Sequence, residues 1–243
     1  MERCAMKKIL LTLFMIASWS ATAHASGFNV FPVRVELSAR KTTASLELTN
    51  TSDTPTVVQL EPTLWEQEEG RMKLTPTEDV LAVPPVFTIQ PGKKQIIRLA
   101  LKRPVDVKKE MTYRLFINEV PSEVKSASEG VSVAINVGIP IFVAPKTGEA
   151  RPRLEWSAQK INEKQIRLTL ANKGNAHIQI GLVNIYSPEG EKTPIFDKTL
   201  AVYVLAGQTG TWVLDLDAPL TTGSILLKAK TDDLKVEESL RVE

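Results

Sequence analysis

The sequence is poor in the two residue types that most often bind transition metals or act as nucleophiles and bases. It contains one cysteine, Cys4, and two histidines, His24 and His177. These are too few for a His- or Cys-based metal cluster, so we expect no metal site. His177 would have to be the base of any serine triad, and no nucleophile or orienting partner stands out for it. We interpret His177, in the stretch NKGNAHIQIG, as a structural residue at a turn or strand start.

Glycine-rich phosphate loops are also missing. The 12 glycines occur singly and mostly in turn-like stretches, so the sequence predicts no nucleotide-binding loop and implies no ATP. The acidic pairs Glu68-Glu69, Asp232-Asp233 and Glu237-Glu238 are typical of solvated faces. They exclude a glycosidase only weakly, because its two carboxylates can come from distant positions. We therefore expect a protein without cofactors and without enzymatic activity.

Long hydrophobic runs are absent after the N-terminus. Residues 1–25 have a basic start, MERCAMKK, a short apolar run, ILLTLFMIASW, and small residues at Ala23 and Ala25. This pattern predicts a secretory signal peptide, with Met6 as an alternative start. A retained anchor helix is the other interpretation, but the run is short of the roughly 20 residues that a membrane span needs. We predict no transmembrane segment after signal cleavage.

An excess of charge of one sign is absent as well. Removing residues 1–25 takes away three of the 30 basic residues and one of the 28 acidic ones, which leaves 27 of each. A balanced chain does not favour nucleic acid as a partner. The only cysteine is removed too, so no disulfide can form in the oxidising compartment that a secreted chain enters. Stability must then come from core burial.

What the sequence does contain is a long series of short alternating runs. They have period two, are rich in β-branched residues and are separated by turn signals about every 8–12 residues. This pattern predicts an all-β protein made of β-sandwiches. A fresh series of strands begins after Pro145-Lys146-Thr147-Gly148. The predicted organisation is a signal peptide at 1–25, a first domain at 26–145 and a second domain at 146–243.

The stretch VSVAINVGIPIFVAP, from Val131 to Pro145, is long for a strand. Every second residue from Val131 to Ile141 is aliphatic, as in a strand with one apolar face. Gly138 and Pro140 indicate an edge, because proline cannot donate to a central ladder. Exposed edges invite pairing with other chains. Either a second sheet covers this strand or pairing with another chain is its purpose, and the pattern alone favours an ordinary core face.

Five stretches of the first domain carry a more specific signal. They are PVRVELSA (32–39), LELTNTSDTPTVVQ (46–59), PPVFTIQPGKKQIIRL (84–99), EMTYRLFINEVP (110–121) and the long stretch just described. In this order they resemble the PapD-like periplasmic chaperones, which assemble pili together with an outer-membrane usher. The second domain is similar only in its strand pattern and in the turn NKGN. The tail GIPIFVAP, the stretch PTEDVLAVPP and the lack of cysteine resemble the archaic or spore-coat-type branch.

The resemblance implies both a fold and a function. The fold would be two immunoglobulin-like β-sandwich domains in an angled, boomerang arrangement. The protein would be a non-enzymatic chaperone of the periplasm that lends a strand to pilus or fimbrial subunits and delivers them to the usher. The donated side chains would be Val131, Val133 and Ile135, with Val137 as a fourth. Self-capping by a second copy is then one way to protect the exposed strand.

The resemblance also implies a site for the C-terminal carboxylate of the subunit, in the cleft between the domains. Chaperones of this kind use an arginine of the first strand, which matches Arg34, and a lysine of the last strand. The lysine position falls on Pro140, so this chain departs from the better-known pattern. Arg114 is our first candidate for a compensating cation and Arg98 the second. Each of the three arginines could instead lie on a solvated strand face.

Three other classes of protein remain open. A pilus or coat subunit would normally be a single sandwich, often with cysteines, whereas two domains are predicted here. A secreted adhesin or carbohydrate-binding protein would need an aromatic platform, but Trp65, Trp156 and Trp212 are scattered among strand patterns and are interpreted as core residues. An enzyme such as a glycosidase is the least favoured class.

Overall fold

The computed structural model describes residues 27–68, 70–106, 108–121, 134–187, 193–221, 223–232 and 234–243. The predicted signal peptide and the predicted donor residues Val131 and Val133 lie outside these ranges. Within them the regular secondary structure consists of β-strands. None of the residues in these ranges belongs to a helix with the length and apolarity needed to cross a membrane.

Ten strands form the first pair of sheets. They are β1 (Phe28–Phe31), β2 (Val35–Leu37), β3 (Thr43–Asn50), β4 (Thr56–Glu68), β5 (Arg71–Pro76), β6 (Val80–Val83), β7 (Val86–Ile89), β8 (Lys94–Leu101), β9 (Met111–Val120) and β10 (Asn136–Val143). One sheet has the order β1-β3-β8-β6. The other has the order β2-β10-β9-β4-β5, with β7 paired to β4. All pairs are antiparallel except β2 with β10, which is parallel.

Seven strands form the second pair of sheets. They are β11 (Leu154–Asn162), β12 (Gln165–Asn172), β13 (Ile178–Tyr186), β14 (Phe196–Val204), β15 (Thr209–Asp215), β16 (Ser224–Thr231) and β17 (Lys235–Arg241). The sheet orders are β11-β12-β15 and β14-β13-β16-β17. This arrangement confirms the predicted all-β fold of two immunoglobulin-like sandwiches.

Each pair of sheets encloses its own hydrophobic core. The alternating residues of β3, β8, β9 and β10 that are buried in the first core include Leu46, Leu48, Ile97, Leu99, Leu115, Ile117, Ile139 and Ile141. The second core contains Ile166, Leu168, Leu170, Ile178, Ile180, Val183, Ile185 and Leu227. No buried residue is shared between them, and the predicted domain boundary at 145/146 lies between the last core residue of β10 and the first strand of the second sandwich. We retain that boundary as a proposal.

The tryptophans confirm their interpretation as packing residues. Trp156 is buried in the second core, and Trp212 packs against the same core. Trp65 is buried at the junction of the two sandwiches. Aromatic platforms for sugars need exposed rings, so these three residues do not support the carbohydrate-binding alternative.

The turn NKGN closes the edge of the second core around one buried amide. Asn172, which is fully buried, donates through Nδ2 to the carbonyls of Ala176 at 2.7 Å and Val204 at 3.2 Å. Its Oδ1 accepts the backbone N–H of Gly174 at 3.0 Å. Gly174 lies so close to the segment before β11 that a Cβ atom would stand 2.2 Å from the carbonyl oxygen of Arg151. The turn therefore requires glycine because of close backbone approach.

We predict that Gly174→Ala destabilises the protein by about 1–3 kcal/mol, because the added methyl group forces backbone apart rather than a flexible side chain. Gly223→Ala is the matched control, since no atom lies within 4 Å of its added Cβ. Thermal melts of the two variants measure the difference, expected at about 2–4 °C per kcal/mol. Equal melting temperatures for the two variants would contradict the close approach at Gly174.

Candidate functional site

An aromatic cluster joins the two sandwiches. Trp65 of β4 and Phe142 of β10 come from the first sandwich, and Tyr203 of β14 and Leu205 come from the second. The ring centroids of Trp65 and Phe142 are 5.9 Å apart, and the Tyr203 ring meets the Trp65 ring edge-on at 5.3 Å. Trp65, Phe142 and Leu205 are each at most 5% exposed. We call these four residues the interdomain cluster.

A side-chain amide ties the same strands together. Gln67, two residues beyond Trp65 on β4, donates through Nε2 to the Tyr203 carbonyl at 2.8 Å. Its Oε1 accepts the backbone N–H of Leu205 at 2.9 Å. One amide thus satisfies a main-chain acceptor and a main-chain donor of the other sandwich, in the way that a neighbouring strand would. This contact holds the end of β4 against the end of β14.

His177 has a structural place at this junction, in agreement with our interpretation. It directly precedes β13, and its ring stacks on Phe142 with a centroid distance of 3.4 Å and an angle of 6° between the planes. Glu110 accepts both the backbone N–H of His177 and a hydrogen bond with its Nδ1, each at 2.8 Å. The orienting partner that the sequence did not reveal is thus a carboxylate 67 residues away.

Arg34 is already paired with carboxylates from both sandwiches. Its Nη1 lies 2.7 Å from Asp232 Oδ2 and its Nη2 lies 3.1 Å from Glu36 Oε1. Burial disfavours the charged guanidinium, but the hydrogen bond to Asp232 and the two carboxylate charges outweigh burial, so the pKa of Arg34 is raised. Arg34 therefore connects the first sandwich to the turn between β16 and β17.

Arg114 has no carboxylate partner in the described ranges. It lies on β9 directly opposite Pro140 of β10. Its guanidinium carbon is 4.2 Å from the centroid of the Trp65 ring, a cation–π distance. Its Nε is buried without a hydrogen-bond partner, and burial lowers the pKa of Arg114. A desolvated cation with an unused donor is suited to bind an incoming anion.

Tyr203 lies close enough to both arginines for their charges to act on its phenol. Burial raises the pKa of its phenol, and the charges of Arg34 and Arg114 both act in the opposite direction. The Trp65 ring contacts both Tyr203, edge-on, and the guanidinium of Arg114. We call Arg34, Arg114 and Tyr203 together the cleft site, in which Tyr203 is shared with the interdomain cluster. A cavity of about 440 Å³ opens beside it, bordered by Arg34, Phe142 and His177 among others.

Arg98 lies elsewhere on the first sandwich. It is exposed on β8, opposite Ser45 of β3 and Val83 of β6, in the sheet that does not contain Trp65 or Phe142. The structure thus brings two of the three predicted arginines to the cleft and leaves Arg98 on the other sheet.

One edge of β10 is unpaired over half of its length. The backbone N–H of Glu119 donates to the Ile135 carbonyl at 2.8 Å, so the backbone groups of the odd-numbered residues of β10 point toward β9 and those of the even-numbered residues point away. On the far side, β2 pairs only with Ile141, Phe142 and Val143. Asn136 to Pro140 therefore have a free edge within the described part of the chain. Pro140 loses no ladder bond there, since its nitrogen faces that edge.

The apolar face of β10 continues past the end of the first core. Ile139, Ile141 and Val143 are buried in that core, and Val137 packs against its margin. Ile135 is half-buried and precedes the strand. Val131 and Val133 would extend the same face and are outside the described residues. The core interpretation thus holds for the second half of the stretch, while the role of the first half remains a prediction.

Several residues of the site were not predicted from sequence. They are Trp65, Gln67, Phe142, Tyr203, Glu110 and Asp232, which depend on contacts between the sandwiches. Their partners are up to 198 residues apart in the chain. The one available signal was the alternation in PIFVAP, which places Phe142 on the strand face opposite Ile139 and Ile141. It does not show what that face contacts. No cluster of three potential metal ligands occurs among the residues that the structure describes.

Comparisons with known proteins identify the family and the fold of the chain. Residues 27–149 match the family described as pili and flagellar-assembly chaperone, PapD N-terminal domain. The chaperone protein PapD of Escherichia coli is 30% identical over 105 residues, which is 41% of this chain and 42% of PapD. The chain therefore matches less than half of the length of that relative.

Solved structures resemble the whole fold. A chain of the CsuC–CsuE chaperone–tip adhesion subunit pre-assembly complex, from archaic chaperone-usher Csu pili of Acinetobacter baumannii, superposes with a TM-score of 0.65 at 21% identity, covering 89% of this chain and 99% of that one. The E. coli chaperone DraB gives a TM-score of 0.61 at 18% identity, with 89% and 97% covered. The Salmonella enterica complex of SafA pilin with the SafB chaperone gives 0.61 at 18%, with 90% and 97% covered. The chain belongs to the pili and flagellar-assembly chaperones, a family of chaperones rather than enzymes.

Proposed function

We propose that this protein is a periplasmic chaperone that binds and folds pilus or fimbrial subunits by donating a strand, and that it delivers them to an outer-membrane usher. The observation that carries the proposal is the free edge of β10, which leads directly to the unpaired cation Arg114. The solved complexes named above contain a chaperone bound to a tip adhesion subunit or a pilin, which supports the assignment of the partner.

Main-chain pairing supplies the first part of the interaction. The N–H and C=O groups of Asn136 and Gly138 point away from β9 and are available to a strand of another chain. Such a strand would lie in line with β2, whose first residue, Val35, is paired with Ile141. Because backbone pairing does not depend on side chains, one chaperone can accept several related subunits.

The donated side chains supply the second part. Ile135 is half-buried and is not part of the first core, and the sequence pattern assigns Val131 and Val133 to the same face as Ile135, so these three side chains would fill a groove in the subunit. Val137 is the least available of the four because it also packs on the chaperone's own core. At about 1.5–3 kcal/mol per buried aliphatic side chain, three residues contribute about 4–9 kcal/mol before ordering costs. The same edge can pair with a second copy of the chaperone when no subunit is present.

The carboxylate site follows from where the added strand must end. Arg34 precedes Val35, so a strand in line with β2 ends beside Arg34 and opposite Pro140, and Pro140 is the cross-strand partner of Arg114. If the C-terminus of the subunit is at that end, its carboxylate meets both guanidinium groups and the added strand runs parallel to β10. Arg114 thereby replaces the lysine that the family pattern places at Pro140, because paired residues project from the same face of the sheet.

The first experiment is capture of the partner. The tagged protein is purified from periplasmic extract of cells that express the pilus subunits encoded by neighbouring genes. Bound polypeptides are then identified by mass spectrometry. A stoichiometric β-rich subunit is expected. Recovery of the chaperone alone under these conditions would overturn the proposed function.

We predict that Ile135→Asp abolishes subunit capture while the chaperone still folds. A carboxylate at this position would be buried in the subunit groove, which lowers affinity by at least tenfold. Ser45→Asp is the control, because it adds the same charge at an exposed position of β3, in the sheet that does not contain β10. Loss of folding in free Ile135→Asp, seen as a collapsed thermal transition, would instead assign Ile135 to the chaperone's own core.

We predict that Arg114→Ala weakens subunit binding by about 10- to 100-fold, the value of a charge-assisted hydrogen bond of about 1.5–3 kcal/mol. Adding Pro140→Lys to Arg114→Ala should restore most of the affinity, since it returns a cation to the same place. Arg241→Ala, an exposed arginine of β17, serves as control. Titration with the captured subunit measures the affinity of the wild type and of each variant, Arg98→Ala included. A loss with Arg98→Ala as large as that with Arg114→Ala would place the carboxylate site on the other sheet.

A further inference from the structure

We propose that Asp232 is an internal carboxylate ligand that occupies Arg34 in the free chaperone and that the C-terminal carboxylate of a bound subunit replaces. This inference rests on the proposed function and assigns a regulatory residue to its carboxylate site. In this proposal Arg34 can bind the subunit carboxylate only after Asp232 has left it, whereas Arg114 can bind the carboxylate at any time.

The Asp232 carboxylate is preset for this contact. Its Oδ1 accepts the backbone N–H of Gln179 at 3.1 Å, and its own backbone N–H donates to the Gln179 carbonyl at 3.2 Å. The preceding residue, Thr231, closes the turn through hydrogen bonds with Leu234 at 2.7 and 2.8 Å. Its Oδ2 faces Arg34 Nη1 at 2.7 Å and lies 3.8 Å from Nε2 of His177. Two charged groups from different sandwiches are thus matched without a ligand.

Arg34 is consequently a poor receptor for a third carboxylate. Glu36 and Asp232 together carry more negative charge than the one guanidinium that they contact. A subunit carboxylate that approached Arg34 would be repelled at short range by both. Arg114, which has no carboxylate partner among the described residues, would bind it first. Arg34 contributes once Asp232 has withdrawn.

Withdrawal of Asp232 would also change how the sandwiches are joined. The Arg34–Asp232 bridge links the first strand region to the β16–β17 turn, so its replacement by a ligand removes one contact between the sandwiches. The hydrogen bonds of the Gln67 amide and of the Glu110–His177 pair would still connect the two sandwiches. Subunit binding would thus loosen one side of the junction and leave the interdomain cluster in place.

The arrangement would favour complete subunits over stray carboxylates. A free carboxylate contacts only Arg114. The free energy of this one contact does not compensate for the loss of the Arg34–Asp232 bridge. A strand paired along the edge of β10 holds its terminus at the cleft site and raises its effective concentration there. Displacement of Asp232 therefore requires the strand as well as the carboxylate.

The test is a double-mutant cycle with a synthetic probe. The probe is an alternating Val-Thr peptide of eight residues, prepared with a free C-terminal carboxylate and as the C-terminal amide. Binding is measured for the wild type, Asp232→Asn, Arg34→Ala and the double variant. Asp232→Asn should bind the acid peptide about 5- to 10-fold more tightly, leave the amide unchanged, and lose that gain when Arg34 is absent. Asp197→Asn, an exposed carboxylate of β14, should change nothing.

Each other result decides a different point. If Asp232→Asn binds the acid peptide no more tightly than the wild type does, the proposal is overturned and Asp232 has only a structural role between the sandwiches. Equal binding of acid and amide by every protein overturns the carboxylate site itself, and with it that part of the proposed function.

A measurement on the otherwise unmodified cleft covers the case in which Asp232→Asn does not fold. Spin labels at Ser45→Cys and Lys230→Cys, both exposed, report the distance between the sandwiches. The acid peptide should broaden this distance distribution and the amide should not. Identical distributions with both peptides overturn the proposal.

Discussion

The two-residue period of one strand determines most of this structure. Three odd-numbered residues of β10, Ile139, Ile141 and Val143, are buried in the first core, while the even-numbered Phe142 lies in the interdomain cluster. The same alternation points half of the backbone groups toward β9 and the other half toward an edge that β2 covers for only three residues. Core, junction and free edge therefore all depend on one register. A slip of one residue in the pairing of β10 with β9 would turn the core residues toward the junction, turn Phe142 toward the core and turn the free backbone groups toward β9.

The cleft between the sandwiches combines a rigid base with an uneven distribution of charge. Its base is apolar and closely packed, and the Gln67 amide fixes it through main-chain hydrogen bonds. Above this base one arginine is neutralised by two carboxylates and the other is half-buried without any among the described residues. The free energy of an unpaired, desolvated cation falls when an anion arrives, and this is the physical basis of the carboxylate site that we propose. In that proposal, packing positions the arginines and incomplete charge pairing leaves Arg114 able to bind an anion.

The sequence predicted features that depend on local periodicity and missed those that depend on docking. Alternation and turn signals were sufficient for the all-β fold, for two sandwiches and for the apolar face that includes Ile139. They also identified Pro140 as an edge residue. The partners of Arg34 and His177 were not predictable, because Asp232 and Glu110 approach them only where the two sandwiches meet. Charged side chains in a strand pattern look alike whether they are solvated or paired across an interface.

The cleft cation that we propose illustrates how a strand pair would allow a functional group to move in the sequence without moving in space. A lysine expected at Pro140 and an arginine at Arg114 are 26 positions apart along the chain but are direct partners across β9 and β10. Both side chains project from the face that carries Phe142. In the proposed site, proline leaves the backbone edge of β10 free, and β9, which is paired on both sides, supplies the charge. The guanidinium of Arg114 lies over Trp65, so its position depends less on the edge strand with which, in the proposed function, another chain pairs.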